Sequence, residues 1–186
     1  KIGSSSVDGI LDIYASNSIR VIRIWGFYDG MNCGSYANDN IIQTAPGVYS
    51  EAALVNLDKV IKKAKDRNIK VILTFVNYWG DLGGICQYNT WDGYSASNSP
   101  TSAEADHFFT DPDIQGWYKN YISMLLNRVN TQTGIAYKNE PAIMAWEPMN
   151  EARNPIDSGS GTMLRNWYQS IAEHIKSIDH NHLVTP

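Results

Sequence analysis

A carboxylate with an amide directly before it, just past an apolar run, is the sharpest chemical signal in this chain. Met149-Asn150-Glu151 follows Ala142-Ile143-Met144-Ala145-Trp146, with Glu147 and Pro148 between. Apolar runs of this length read as buried strands, and in parallel α/β architectures functional side chains gather at the C-terminal ends of strands. A glutamate held in a partly desolvated mouth is suited to general acid catalysis, because burial favours its protonated form. Spacing alone leaves open that Glu151 is a cap or loop carboxylate. Glu147, nearer the strand body, is expected to take a hydrogen-bonded structural role.

Two other strand ends point to the same mouth. In Val21-Ile22-Arg23-Ile24-Trp25-Gly26-Phe27, period-two alternation puts Val21, Arg23, Trp25 and Phe27 on one face. If the aliphatic face meets helices, Arg23 points inward, where a guanidinium needs a carboxylate or a substrate beside it. A surface arginine on an edge strand is the alternative. After Val71-Ile72-Leu73-Thr74-Phe75-Val76, the residues Asn77 and Trp79 share a face and fall near that mouth. Trp25, Trp79 and Trp91 lie at or beyond strand ends, and their flat apolar faces match the C–H faces of sugar rings. Trp117 and Trp167 sit in helical stripes and are expected in the core. Carboxylate plus tryptophan platforms suggests glycoside chemistry.

The elements that must position these residues follow from periodicity. A helix is expected around Val7, Ile10, Leu11 and Tyr14. A second runs from an N-cap at Ser50 through Leu54, Leu57, Ile61 and Ala64 to about Asn68. The stretch from Gly80 to Thr110 reads as one long loop. Asp111-Pro112 opens a helix with the stripe Ile114, Trp117, Tyr121, Leu125 and Val129. Another carries Leu164, Trp167, Ile171, Ile175 and Ile178 and leads to a strand at Leu183-Val184. Four strands alternating with helices predict a parallel sheet, equivalent to about half of a (β/α)8 barrel of ~250 residues. A doubly wound sheet would favour a glycine-rich phosphate turn, and Gly26, Gly83-Gly84 and Gly159–Gly161 lack that pattern.

Composition narrows the partners. The 186 residues carry a net charge of −4 and 11% aromatic residues. The chain has no basic run to hold nucleic acid and no apolar stretch long enough to span a bilayer. His180-Asn181-His182 precedes the last strand, on the face opposite the mouth. His174 is helical, and His107, in the long loop, has no evident partner. No metal or cofactor is expected from them. Cys33 and Cys86 fall at the same end of the sheet, where a disulfide and two free thiols are equally open.

At these same residues the chain resembles the endo-β-1,4-mannanases of glycoside hydrolase family 5. The match rests on Val21–Phe27, on Val76-Asn77-Tyr78-Trp79 and above all on Glu140-Pro141-Ala142-Ile143-Met144-Ala145-Trp146-Glu147-Pro148-Met149-Asn150-Glu151. It extends through Phe109-Thr110-Asp111-Pro112, Trp117–Tyr121, Arg128-Val129-Asn130 and Ser177-Ile178-Asp179. The resemblance implies a (β/α)8 TIM barrel of which residues 1–186 are part of a single catalytic domain, truncated at both ends and covering the second to fifth strands. It implies a retaining mechanism on mannan, glucomannan or galactomannan, in a secreted monomer that needs no cofactor. Glu151 would be the acid/base, Asn150 would bind the sugar 2-hydroxyl, and Arg23 would support the nucleophile carboxylate. Trp25 and Trp79 would line the sugar cleft. The family's nucleophile glutamate would lie beyond Pro186, and this stretch alone is expected to be inactive and poorly folded. Ala152-Arg153 departs from the commoner Pro-Arg after the catalytic Glu. Other readings are a cellulase or xylanase of the same clan, or a non-catalytic sugar-binding barrel.

Overall fold

A computed structural model describes residues 4–34, 40–156 and 159–186; the opening Lys1-Ile2-Gly3 lies outside them. In chain order the elements are α1 (Ser4–Ser16), β1 (Val21–Trp25), β2 (Gln43–Ala45), β3 (Val48–Tyr49), α2 (Glu51–Asp66) and β4 (Lys70–Thr74). They continue with α3 (Gly84–Trp91), α4 (Ser102–Thr110), α5 (Pro112–Asn127), a 3₁₀ turn at Tyr137–Asn139, β5 (Ile143–Glu147), α6 (Thr162–Ile178) and β6 (Leu183–Val184). The strands β1, β4, β5 and β6 pair in that order, all parallel, as the alternation of apolar runs and helical stripes predicts.

Register sets the two faces of the sheet. Ile24 pairs with Leu73 and Leu73 with Trp146; Leu73 and Trp146 are fully buried on the helix side. One residue on, Trp25 pairs with Thr74 and Thr74 with Glu147, so these side chains and Arg23 share the opposite face. Burying side chains such as Leu73, Ile61 and Leu125 stabilises the fold by about 1.5–3 kcal/mol each.

Local signals account for the helix boundaries. Ser50 accepts a hydrogen bond from the Ala53 N–H as the α2 cap, and Leu54, Leu57, Ile61 and Ala64 form its buried stripe. Asn68, just past the end, takes a left-handed φ of 53°. Asp111 caps α5 and Pro112 opens it. The buried face of α5 is Ile114, Tyr118, Tyr121, Ile122, Leu125 and Leu126. Trp117 is only partly buried, and Val129 lies past the helix end in solvent, so the expected stripe was rotated.

The stretch read as a long loop contains two helices. In α3 every residue from Gly84 to Asn89 is buried, so its sequence carries no polar face to reveal a helical period. In α4 a legible signal was passed over: Thr101 and Glu104 form a capping box. The β2–β3 hairpin was also missed, although Pro46-Gly47 marks its turn. Cys33 and Cys86 form a disulfide that ties the segment after β1 to α3.

Candidate active site

Two buried tyrosines of α5 set the strand ends from behind. The Tyr121 hydroxyl donates to the Gly26 carbonyl and the Tyr118 hydroxyl to the Pro148 carbonyl, at the exits of β1 and β5. Beyond those points the β4–β5 pairing continues as a bridge between Asn77 and Asn150. The Asn150 N–H reaches the Val76 carbonyl at 2.8 Å, and the Tyr78 N–H reaches the Asn150 carbonyl at 3.1 Å.

On this frame the polar side chains connect. Arg23 Nε donates to Glu147 Oε2 at 2.7 Å, and its Nη2 donates to Asn150 Oδ1 at 2.7 Å. Arg23 thus has a carboxylate beside it, as the inward reading expected, while β1 is an edge strand of this sheet and the side chain is 40% exposed, as the alternative had it. The same Glu147 oxygen also accepts from the Thr74 hydroxyl, so two donors converge on it. The Asn150 amide donates to Asn77 Oδ1 at 2.8 Å, and the Asn77 amide reaches the Asp81 carbonyl at 3.3 Å. Asn77 is only 1% exposed and therefore stands behind Asn150, steadying it, rather than facing solvent.

Glu151 leaves this ladder by a backbone turn with φ of 52°. A non-glycine residue there is strained by about 1–2 kcal/mol. The turn delivers its carboxylate to the rim with the side chain 53% exposed. Trp79 Nε1 donates to Glu151 Oε2 at 2.9 Å, and Arg153 Nη2 reaches the same oxygen at 3.2 Å. The Arg153 guanidinium also lies over the Trp79 ring, 5.1 Å from its centre. Trp79 is therefore held edge-on to the carboxylate and face-on to a cation.

The geometry brings together Arg23, Asn77, Trp79, Asn150 and Glu151. Trp25 stands on the same sheet face, half-exposed, and stacks on Phe27 at 5.2 Å. Trp91 packs edge-on against Tyr88 within α3 instead of at a strand end. Trp167 is buried, as its stripe implied, and donates to Gln115. His107, expected to lack a partner, lies 2.8 Å from Asp92. His182 is buried between Asp179 and the Glu140 carbonyl, away from the mouth.

Sequence reasoning missed Thr74 and Tyr168. Thr74 was legible as the one hydroxyl in an apolar strand. Tyr168 of α6 was not, since only packing brings it near: burial, with the Glu147 carboxylate adding to it, pushes its hydroxyl up to about 12. A depression of about 380 Å³ lined by Lys70, Asn139, Pro141, Ile143, Met144, Asn181 and His182 lies at the other end of the sheet, where strands begin.

These features have close counterparts. A family model described as GH family 5 beta-mannosidase-like matches residues 6–186. Mannan endo-1,4-beta-mannosidase 3 of Arabidopsis thaliana is 40% identical over 169 residues, which cover 91% of this chain and 38% of that protein. Mannan endo-1,4-beta-mannosidase 1 of Oryza sativa subsp. japonica is 38% identical over 178 residues, covering 96% and 39%. Among solved structures, an endo-1,4-beta-D-mannanase from Thermotoga petrophila RKU-1 superposes with a TM-score of 0.87 at 39% identity, covering 98% of this chain and 51% of that one. An endo-1,4-beta-mannanase from Rhizomucor miehei gives 0.84 at 32%, covering 98% and 51%. The chain thus spans about 40% of the length of the curated relatives it matches. Its sheet and helices are part of a (β/α)8 barrel, and the chain belongs to the beta-mannosidase-like group of glycoside hydrolase family 5.

Proposed function

We propose that the intact protein is a secreted, monomeric endo-β-1,4-mannanase acting on mannan, glucomannan or galactomannan, with Glu151 as its acid/base. The observation that carries this reading is the Glu151 carboxylate at the C-terminal end of the sheet, accepting from the Trp79 indole beside Asn150. The named relatives supply the substrate class. The disulfide is in keeping with an oxidising, extracytoplasmic setting.

A retaining glycosidase needs two carboxyls about 5–5.5 Å apart. Glu147 is read as a structural carboxylate, its Oε2 accepting from Arg23 and Thr74 across the strands. The nucleophile is assigned to sequence beyond Pro186. It attacks the anomeric carbon while Glu151 gives its proton to the leaving glycosidic oxygen, so one C–O bond breaks as the ester bond forms. Glu151, now a carboxylate, takes a proton from water, and that water oxygen displaces the enzyme carboxylate and frees the sugar. Asn150, held by Arg23 and Asn77, offers its remaining amide hydrogen to the sugar 2-hydroxyl. Arg23, in the middle of β1, would support the incoming nucleophile with guanidinium hydrogens not given to Glu147 and Asn150. Trp79 and Trp25 provide ring platforms along the cleft. No step calls for a metal or an organic cofactor.

The test is reducing-sugar release from β-mannan and cellulose by the intact protein and its Glu151→Gln variant. Mannan-selective hydrolysis, lost in a folded variant, is the expected result. Equal or greater action on cellulose would move the protein to another β-glycanase activity. Near-normal mannan hydrolysis by the variant would overturn the role of Glu151.

A further inference from the structure

In the helices that follow β4, Asp92, His107 and Asp111 carry donor atoms that all lie within 4.8 Å of one another. Three helices deliver them. Asp92 ends α3, His107 lies in the last turn of α4, and Asp111 both ends α4 and caps α5. The Asp111 N–H donates to the His107 carbonyl at 2.9 Å, so the two side chains are one helical turn apart and leave the same face. Asp111 Oδ1 accepts from the Asp113 and Ile114 N–H groups at 2.9 and 3.0 Å. That grip orients the carboxyl and leaves Oδ2 for another partner. His107 Nε2 is 2.8 Å from Asp92 Oδ2, and its ring stacks on Tyr94 with centres 4.1 Å apart. The imidazole is thus fixed in plane, with Nε2 against the Asp92 carboxylate and the Asp111 carboxylate in the same cluster.

Charge decides what this arrangement suits. Among the described residues the ion-pair partner of Asp92 is His107, and no Lys or Arg pairs with Asp111. A single imidazole proton does not neutralise two carboxylates, whereas a divalent ion does, with the imidazole neutral and ligating. One nitrogen and two oxygens select a zinc-like transition metal over magnesium or calcium, which prefer oxygen alone. Asp92 and His107 are each 22% exposed, enough for an ion to enter and keep a water as fourth ligand. We infer that Asp92, His107 and Asp111 form a structural binding site for a zinc-class divalent ion that clasps α3, α4 and α5 together. The clasp faces the same excursion that the Cys33–Cys86 disulfide anchors through α3.

The test uses the intact, chelator-treated protein, with Zn²⁺ titrated by calorimetry, Co²⁺ by its visible absorption, and Mg²⁺ as control. Expected are one equivalent of Zn²⁺ or Co²⁺, no competition from Mg²⁺, and a rise in Tm with Zn²⁺. Asp111→Asn keeps the helix cap and His107→Gln keeps a helix-compatible side chain, so both are expected to fold. Each is expected to weaken Zn²⁺ binding by about tenfold or more. Failure of the wild type to bind saturably, or unchanged affinity in both variants, overturns the site. Both readouts are independent of glycoside hydrolysis.

Discussion

At the scale of single residues, the environment of Glu151 predicts how its chemistry responds to change. The Trp79 indole donates to the Glu151 carboxylate at 2.9 Å and so fixes the direction in which that carboxyl points. Trp79→Phe removes the donor while keeping an aromatic face. kcat is expected to fall by about tenfold and KM to rise, because the carboxyl loses the donor that aims it at the leaving oxygen. An unchanged kcat would mean that the bond is absent during turnover. Asp29 makes a second residue-level case. Among the described residues neither of its buried carboxylate oxygens has a hydrogen-bond partner, and burial pushes the carboxyl well above the usual carboxylate range. In the folded state it keeps a proton that the unfolded chain has already lost. Its contribution to stability is therefore whole below the unfolded value of about 4, and falls as pH rises toward the folded value. Asp29→Asn, which is neutral and similar in shape, is expected to raise Tm at neutral pH and flatten its decline with pH. A variant less stable than wild type across the whole range would show that the carboxylate has a partner.

At the scale of elements, the entry to α3 depends on backbone freedom. Gly83 has φ of 99°, and a Cβ there would stand 2.0 Å from the Asp29 carbonyl oxygen, a backbone atom that cannot swing away. Gly83→Ala is expected to cost about 1–3 kcal/mol, with loss of amide protection concentrated in α3. Full protection there would show that the turn has room to relax. α3 illustrates why part of the fold was hidden in the sequence. It mixes Ile85, Tyr88 and Trp91 with Gln87, Asn89 and Thr90, and every residue from Gly84 to Asn89 is buried whatever its polarity, so no hydrophobic period marks a helix. In α2 and α6 an apolar stripe and a solvent face coexist, and both were legible. In α5 the helix was legible, and so were Ile114, Tyr121 and Leu125 of its buried face. Tyr118 was passed over in favour of Trp117, because it buries a hydroxyl against a strand-end carbonyl, which a hydrophobic count ranks low.

At the scale of the whole molecule, the disulfide is the one covalent tie between the β1 exit and α3. It closes a loop across a sequence separation of 53 residues, worth about 4 kcal/mol in the chain-entropy account. Cys86→Ser is expected to lower Tm by about 10 °C, and treatment with a reductant to do the same to the wild type. A change of a degree or less would mean that the α3 excursion unfolds separately from the sheet. A second tie crosses the molecule without covalent bonds. Asp58 of α2 accepts from Arg128, Tyr137 and Thr131, and although burial pushes its carboxyl up, these bonds hold it below the usual range. It joins the helix between β3 and β4 to the segment leading into β5.

The amino-acid sequence alone determined the alternation of strands and helices, the cap at Ser50, the opening of α5 and the Asn150–Glu151 pair at a strand end. These follow from local spacing, which needs no knowledge of neighbours. Packing decided the rest. Arg23 meets Glu147 and Asn150 across 124 and 127 residues, and Trp79 meets Glu151 across 72. Such meetings depend on strand register, and a shift of one residue would turn each side chain to the other face. The pairing of Cys33 with Cys86, and the convergence of Asp92, His107 and Asp111, likewise depend on how α3 and α4 fold back, and spacing along the chain does not encode that path.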